Sequence, residues 1–219
     1  TSAQGTESFL SYAFNYWQYA TSFVYWSGSE EGLVCCPTGE FTDAAHTNGV
    51  PVVATLGFPW GRGDGYVEQV RQFVQKAPDG SFPVADKLIE VMDYYGFDGY
   101  FFNQESYDCT AAEGALIDEM MRYMHKMRPD MLISWYDSMV PAGGVSYQNA
   151  VNDANKQFMT DSEDGTRAID EFLMNYNWYE NQVDTTISTM QSIGRSEFDA
   201  FAGLDVQQNC MSTGFRDYL

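Results

Sequence analysis

Short apolar runs punctuate the chain, each rich in β-branched or aromatic residues and most followed by a stretch with helical spacing. The runs are Ser22 to Trp26, Pro51 to Gly57, Phe97 to Asn103, Met131 to Tyr136, Glu171 to Tyr176 and Ala200 to Val206. Their interval of roughly 25 to 45 residues is that of repeated strand–helix units. Most are nearly continuous in apolar character, as parallel strands covered on both faces should be. Between them, Val84 to Tyr95 sets Leu88, Val91, Met92 and Tyr95 at helical spacing ahead of Gly96, a residue suited to a helix C-terminus. Thr110 to Met127 repeats the theme with Leu116, Met120, Met121 and Met124 on one side, and this methionine stripe reads as core packing. A third helix is expected from about Asp184 to Ile193, and Phe41 to Asn48 is helix-like. No repeat, low-complexity tract or Pro/Gly linker interrupts the series, so residues 1–219 read as a single domain.

The expected class is α/β, a (β/α)8 TIM barrel. Such barrels typically take ~250 residues. Six strands in 219 residues therefore suggest strands two to seven, a barrel incomplete at both ends, with flanking parts of a longer chain.

Charge narrows the chemistry. Eleven Lys plus Arg against 31 Asp plus Glu leave a net charge of −20, a field that repels polyanions and makes nucleic acid and anionic membranes poor partners. No run is long and apolar enough for a membrane span, so no membrane insertion is expected. Only two histidines, His46 and His125, are present, both read as surface or capping groups, which leaves little room for histidine relays or His-rich metal sites. The acids are dispersed and show no calcium-loop pattern, so neither metal nor cofactor is expected. Cys35, Cys36, Cys109 and Cys210 lack C-x-x-C spacing and read as free structural thiols. What remains for chemistry is carboxylate, amide and phenol. Aromatic residues make up 16% of the chain, a composition common in sugar-binding proteins.

The informative stretch is Gly96 to Ser106, a strand that begins apolar and ends in Asn103, Gln104 and Glu105. Side chains alternate along a strand, so Asn103 and Glu105 point the same way at its C-terminal end, while Asp98 belongs to the other face. In a barrel of this kind that end carries the active site. An ordinary glycosidase needs two carboxylates. An amide beside an acid fits substrate assistance instead: a sugar's 2-acetamido oxygen attacks the anomeric carbon, Asn103 orients that group, and Glu105 acts as acid and then base. A second strand reaches the same rim in Trp135-Tyr136-Asp137-Ser138, where Tyr136 can hydrogen-bond the nascent oxazolinium oxygen. Asp137 is a candidate for the missing carboxylate, but by alternation it faces away from Tyr136, so only one of the two is expected to aim inward.

Together these residues resemble the family 85 glycoside hydrolases, endo-β-N-acetylglucosaminidases that act on N-glycans. The matching segments are Tyr12 to Tyr19, Phe23 to Trp26, Asp43 to Val52, Phe97 to Ser106, Ser134 to Ser138, Tyr147 to Asp153 and Phe201 to Val206, in family order. The resemblance implies retaining cleavage of the β-1,4 bond in the N,N′-diacetylchitobiose core of an N-glycan or glycoprotein. It gives Asn103 the acetamido group, Glu105 the general acid/base role, and Tyr136 support of the oxazoline.

For subsites, Trp60, Trp178 and Trp26 stand where a ring can stack on a sugar, and Asn175, Asp205 and Gln207 end strands where they can hold hydroxyls. Two other readings compete: a chitinase-like or hexosaminidase-like hydrolase, which would place a carboxylate where Asn103 stands, and a non-enzymatic glycan-binding barrel, which would tend to lose its acid. The acidic balance and the family's bacterial members lean toward a secreted or surface location, with a cytoplasmic one as the alternative.

Overall fold

The computed structural model describes residues 14–26 and 33–205. Six parallel strands form one curled sheet: β1 (Phe23–Tyr25), β3 (Val52–Gly57), β4 (Gly99–Asn103), β5 (Leu132–Tyr136), β6 (Glu171–Met174) and β7 (Ala200–Ala202), each hydrogen-bonded to the next in that order. All six lie within the apolar runs of the sequence. Every residue of β3 and β4 is buried, the continuous burial that parallel strands between two covered faces require. This is the curled strand–helix sheet of a partial TIM barrel.

The two faces carry different clusters. On the helix side, Leu56, Tyr100, Phe102, Ile133, Trp135 and Phe172 pack with Val70, Leu88, Ile117, Met120, Met121 and Met124. On the concave side, Val53, Phe101 and Tyr136 gather Val24, Leu132, Tyr147, Leu173 and Tyr176. The methionine stripe is therefore core, as its spacing predicts.

The helices are α1 (Gly39–Thr47), α2 (Asp64–Phe73), α3 (Pro83–Tyr95), α4 (Ala111–Met127) and α5 (Glu180–Ser192). Helix α3 stops at Gly96, which takes the left-handed conformation (φ 74°) and caps Met92 O with its N–H. Helix α4 opens on a capping box between Thr110 and Glu113. Glu113 also receives Arg71 of α2 at 2.8 Å, tying two neighbouring helices together. Helix α5 begins four residues before the expected Asp184, because Gln182 turns back to accept from the Tyr179 N–H.

Two elements escape the sequence pattern. Helix α2 buries Val67, Val70 and Phe73 on one face, but its first turn holds Gly65 and follows Gly63, residues that read as loop. Strand β2 (Val34–Cys35) runs antiparallel against Leu56 and Thr55, continuing the edge of β3 that β1 occupies lower down. Its two residues are too few to show a period. Cys35 and Cys36 flank the β3 edge against different clusters, and Cys35, Cys36 and Cys109 are free, as expected; Cys210 lies outside the described residues.

Between β5 and β6 no α-helix forms. Residues 137–170 make a long loop whose 3-10 turn, Lys156–Met159, inserts Phe158 and Met159 where a helix would pack. Two arginines brace it through backbone carbonyls: Arg122 donates to Thr160 O and Thr166 O, and Arg195 to Met159 O, Ile169 O and Asp170 O. The histidine expectation needs correction here. His125 is buried, bonding Arg167 O and the Asp170 carboxylate where α4 meets the start of β6, because the loop covers the last turn of α4. His46 does lie exposed, against Asp98 at 2.7 Å.

Gly99 sets the spacing of the central strands. A side chain there would begin 1.8 Å from Leu132 O, so only glycine lets β4 and β5 approach.

Candidate active site

Asn103 closes β4 and Glu105 follows two residues on, both at the C-terminal end of the sheet. Asn103 is 3% exposed. Its Nδ2 donates to Glu105 Oε2 at 2.9 Å, so the alternation argument holds: the amide and the acid share a face. With its nitrogen committed to Glu105, the amide directs its oxygen away from the acid. Tyr147 donates from its hydroxyl to the other oxygen, Glu105 Oε1, at 2.8 Å.

Tyr136, at the end of β5, is buried and donates to Asn175 Oδ1 at 2.8 Å. Burial, with Tyr176 and Glu105 nearby, pushes its phenol well above the usual range, so it stays a donor. Asn175, expected to hold a sugar hydroxyl, here accepts from Tyr136. Tyr136 lies 6.2 Å from the rings of both Tyr147 and Tyr176, and these aromatics wall the space beside Glu105.

Neither acid nearest these strands joins Glu105. Asp98 lies at the opposite end of β4, accepting from Val52 N and His46. Asp137 is buried and accepts from the backbone N–H groups of Gln148, Asn149 and Asn175. Burial raises its carboxyl to about 6 against those hydrogen bonds. Asp137 thus holds loop backbone rather than standing as a second carboxylate beside Glu105.

The expected subsite residues divide. Trp60 is 65% exposed on the rim, its Nε1 donating to Tyr107 OH at 3.3 Å, beside Arg62, whose guanidinium lies 4.5 Å over the Tyr107 ring. Trp26 is 45% exposed on the concave side, edge-on to Phe101. Trp178 overturns its expectation. It is 7% exposed, packs in the helix-side core and donates Nε1 to Gly203 O at 2.7 Å, so no face is open to a sugar. Asp205 is half-buried at the end of the described chain, and Gln207 lies outside the described residues. Below the rim, a cavity of about 310 Å³ is lined by Ser22, Val24, Phe101, Ser134, Glu171 and Leu173. There Glu171 accepts from Ser134 and Ser22, and burial raises its carboxyl above the ordinary range.

Sequence reasoning missed Tyr147 and Glu171 as site residues. Tyr147 sits 42 residues from Glu105 in an irregular loop, where no period marks a side chain's direction. Glu171 opens a strand, and only its pairing with Ser134 turns it inward.

Among the described residues no group of three or more His, Cys, Asp or Glu side chains is arranged to hold a metal ion. The sequence over residues 1–217 matches glycosyl hydrolase family 85. The chain belongs to that family. Among curated relatives, it is 32% identical over 206 residues to a cytosolic endo-beta-N-acetylglucosaminidase of Gallus gallus, covering 93% of this chain and 26% of the relative. It is 32% identical over 207 residues to the Homo sapiens protein of the same name, with 93% and 26% covered. The chain thus spans about a quarter of the length of the curated relatives it matches. The glycoside hydrolase domain of Endo-D from Streptococcus pneumoniae superposes with a TM-score of 0.86 at 39% identity, over 94% of this chain and 32% of that one. A chitinase from Bacteroides thetaiotaomicron shares the fold at 12% identity with a TM-score of 0.59.

Proposed function

We propose that the protein is an endo-β-N-acetylglucosaminidase that cleaves the β-1,4 bond of the N,N′-diacetylchitobiose core of N-glycans, with retention, through an oxazoline formed by the substrate itself. The observation that carries this reading is the Asn103–Glu105 pair, an amide and an acid 2.9 Å apart on one rim. Membership of family 85 and the names of its relatives support the same activity and substrate.

In the first step the 2-acetamido oxygen attacks the anomeric carbon and the glycosidic C–O bond breaks, while Glu105 gives its proton to the leaving oxygen. Asn103 offers its free Oδ1 to the acetamido N–H, which raises the electron density on the attacking oxygen. Tyr136 exchanges Asn175 for the acetamido oxygen as charge spreads over the oxazolinium ring. In the second step the Glu105 carboxylate takes a proton from water, whose oxygen adds to the anomeric carbon and reopens the oxazoline.

The relatives' names favour a cytoplasmic location over a secreted one. The full-length protein is expected to release high-mannose glycans from a glycopeptide and leave one N-acetylglucosamine on the peptide by mass spectrometry. Glu105→Gln abolishes release; undiminished release by that variant would falsify the assignment of the acid.

A further inference from the structure

We propose that Tyr147 is the positioning residue for Glu105: its hydroxyl, carried on a loop anchored by Asp137, fixes the plane of the carboxyl group that delivers the proton. This rests on the activity proposed above.

Placing a glutamate at a strand end does not orient its carboxyl group. The terminal torsion of a glutamate is broad and roughly two-fold, so one hydrogen bond leaves the plane free to swing. Here each oxygen has its own donor, Asn103 Nδ2 on Oε2 at 2.9 Å and Tyr147 OH on Oε1 at 2.8 Å. Two donors from separate elements, one a strand end and the other a loop, define the plane.

The loop holds its position independently of the glutamate. Ser146 N donates to Ser138 O at 2.7 Å. The next two N–H groups after Tyr147, on Gln148 and Asn149, converge on the two oxygens of Asp137 at 3.1 and 2.5 Å. Asn149 adopts the left-handed conformation (φ 55°), and its Oδ1 receives Asn177 N at 3.0 Å, joining the loop to the segment after β6. Tyr147 is thus framed on both sides by bonds to the end of β5 and beyond β6. Burial, the neighbouring Tyr107 and Glu105 itself all push the Tyr147 phenol upward, which keeps its proton in place as the donor.

In the bond-breaking step, which kcat/KM reports, an aligned carboxyl matters only when the leaving oxygen needs a proton; the later activation of water by Glu105 falls after that step. Misplacing a catalytic group by about 1 Å can cost on the order of 10²-fold. A structural or simple binding contact would weaken every substrate alike, whereas a positioning role shows in the leaving group.

The test uses Tyr147→Phe in the full-length protein, which keeps the ring and removes the hydroxyl. On the native glycopeptide kcat/KM is expected to fall about 10- to 100-fold, through kcat, with KM changed less than about twofold. On a 4-nitrophenyl glycoside of the same donor glycan, whose leaving group departs without protonation, the loss stays within about threefold. The thermal midpoint measured alongside reports that the ring packing survives. Equal losses on both substrates, or no loss on either, overturn the positioning role while leaving the activity intact. If the unsubstituted protein cleaves neither substrate, the proposed activity fails and this role with it.

Discussion

An amide has two ends, and at position 103 one of them is already committed. Asn103 Nδ2 donates to Glu105 Oε2, so its oxygen is the end left over for the acetamido contact proposed above. Asn103→Ala removes that acceptor together with one of the two donors on the acid. Hydrolysis of native glycan is expected to fall about 10²- to 10³-fold in kcat. The affinity of an inactive double variant with Glu105→Gln, measured by calorimetry, should change far less; equal losses of turnover and binding would mark Asn103 as a contact alone. Tryptophans separate at the same scale. Trp178→Ala is expected to destabilise the fold by about 3–5 kcal/mol, because it empties a core site and orphans Gly203 O. Trp60→Ala, on an exposed ring, should leave the thermal midpoint unchanged and raise KM for the glycan. Parity alone told that Asn103 and Glu105 share a face, because the pleat turns sequence spacing into direction. The same reasoning could not distinguish Trp60 from Trp178, since both follow strand ends and only the packed loop decides which ring is covered.

Helices α2 and α4 meet through one carboxylate. Glu113 accepts from Thr110 N, Thr110 Oγ1 and Arg71 Nε, with a side chain 7% exposed. Burial raises its pKa, but these hydrogen bonds more than reverse that and hold it at about 2, against 4.5 for a free glutamate. A depressed carboxylate contributes stability that is present above the unfolded pKa and disappears as pH falls through the folded one. Stability should therefore drop between about pH 5 and 2, by about 1–3 kcal/mol from this group, and Glu113→Gln should flatten that limb in urea titrations. A slope unchanged by the substitution would place the acid sensitivity elsewhere. The parallel strands are visible because burial on both faces leaves few polar positions. Helix α2 was not visible, because Gly63 and Gly65 obscure its start. The turn at Lys156–Met159 was not visible either, because its place is fixed by Arg122 and Arg195 from distant helices and turns.

The molecule as a whole carries −20 charges, of which the proposed chemistry uses one acid. A neutral oligosaccharide is indifferent to that field, whereas polyanions are turned away by it. Of the whole architecture, the curled parallel sheet was legible from strand count and spacing. The loop that carries Tyr147 to Glu105 was not, since its path depends on a buried aspartate's hydrogen bonds rather than on any periodic pattern.

Among the described strands, each of β3, β4, β5 and β6 is flanked by its immediate predecessor and its immediate successor among the parallel strands. On the ribosome this means that each parallel strand after β1 emerges to find its docking edge already made. The sheet can grow in the direction of synthesis, so the long-range pairing that slows many β-rich folds is divided into short local closures. Chains stalled after Arg167 should thus already protect β1, β3, β4 and β5 from a pulse of protease, whereas an all-or-none fold would leave such chains open along their length.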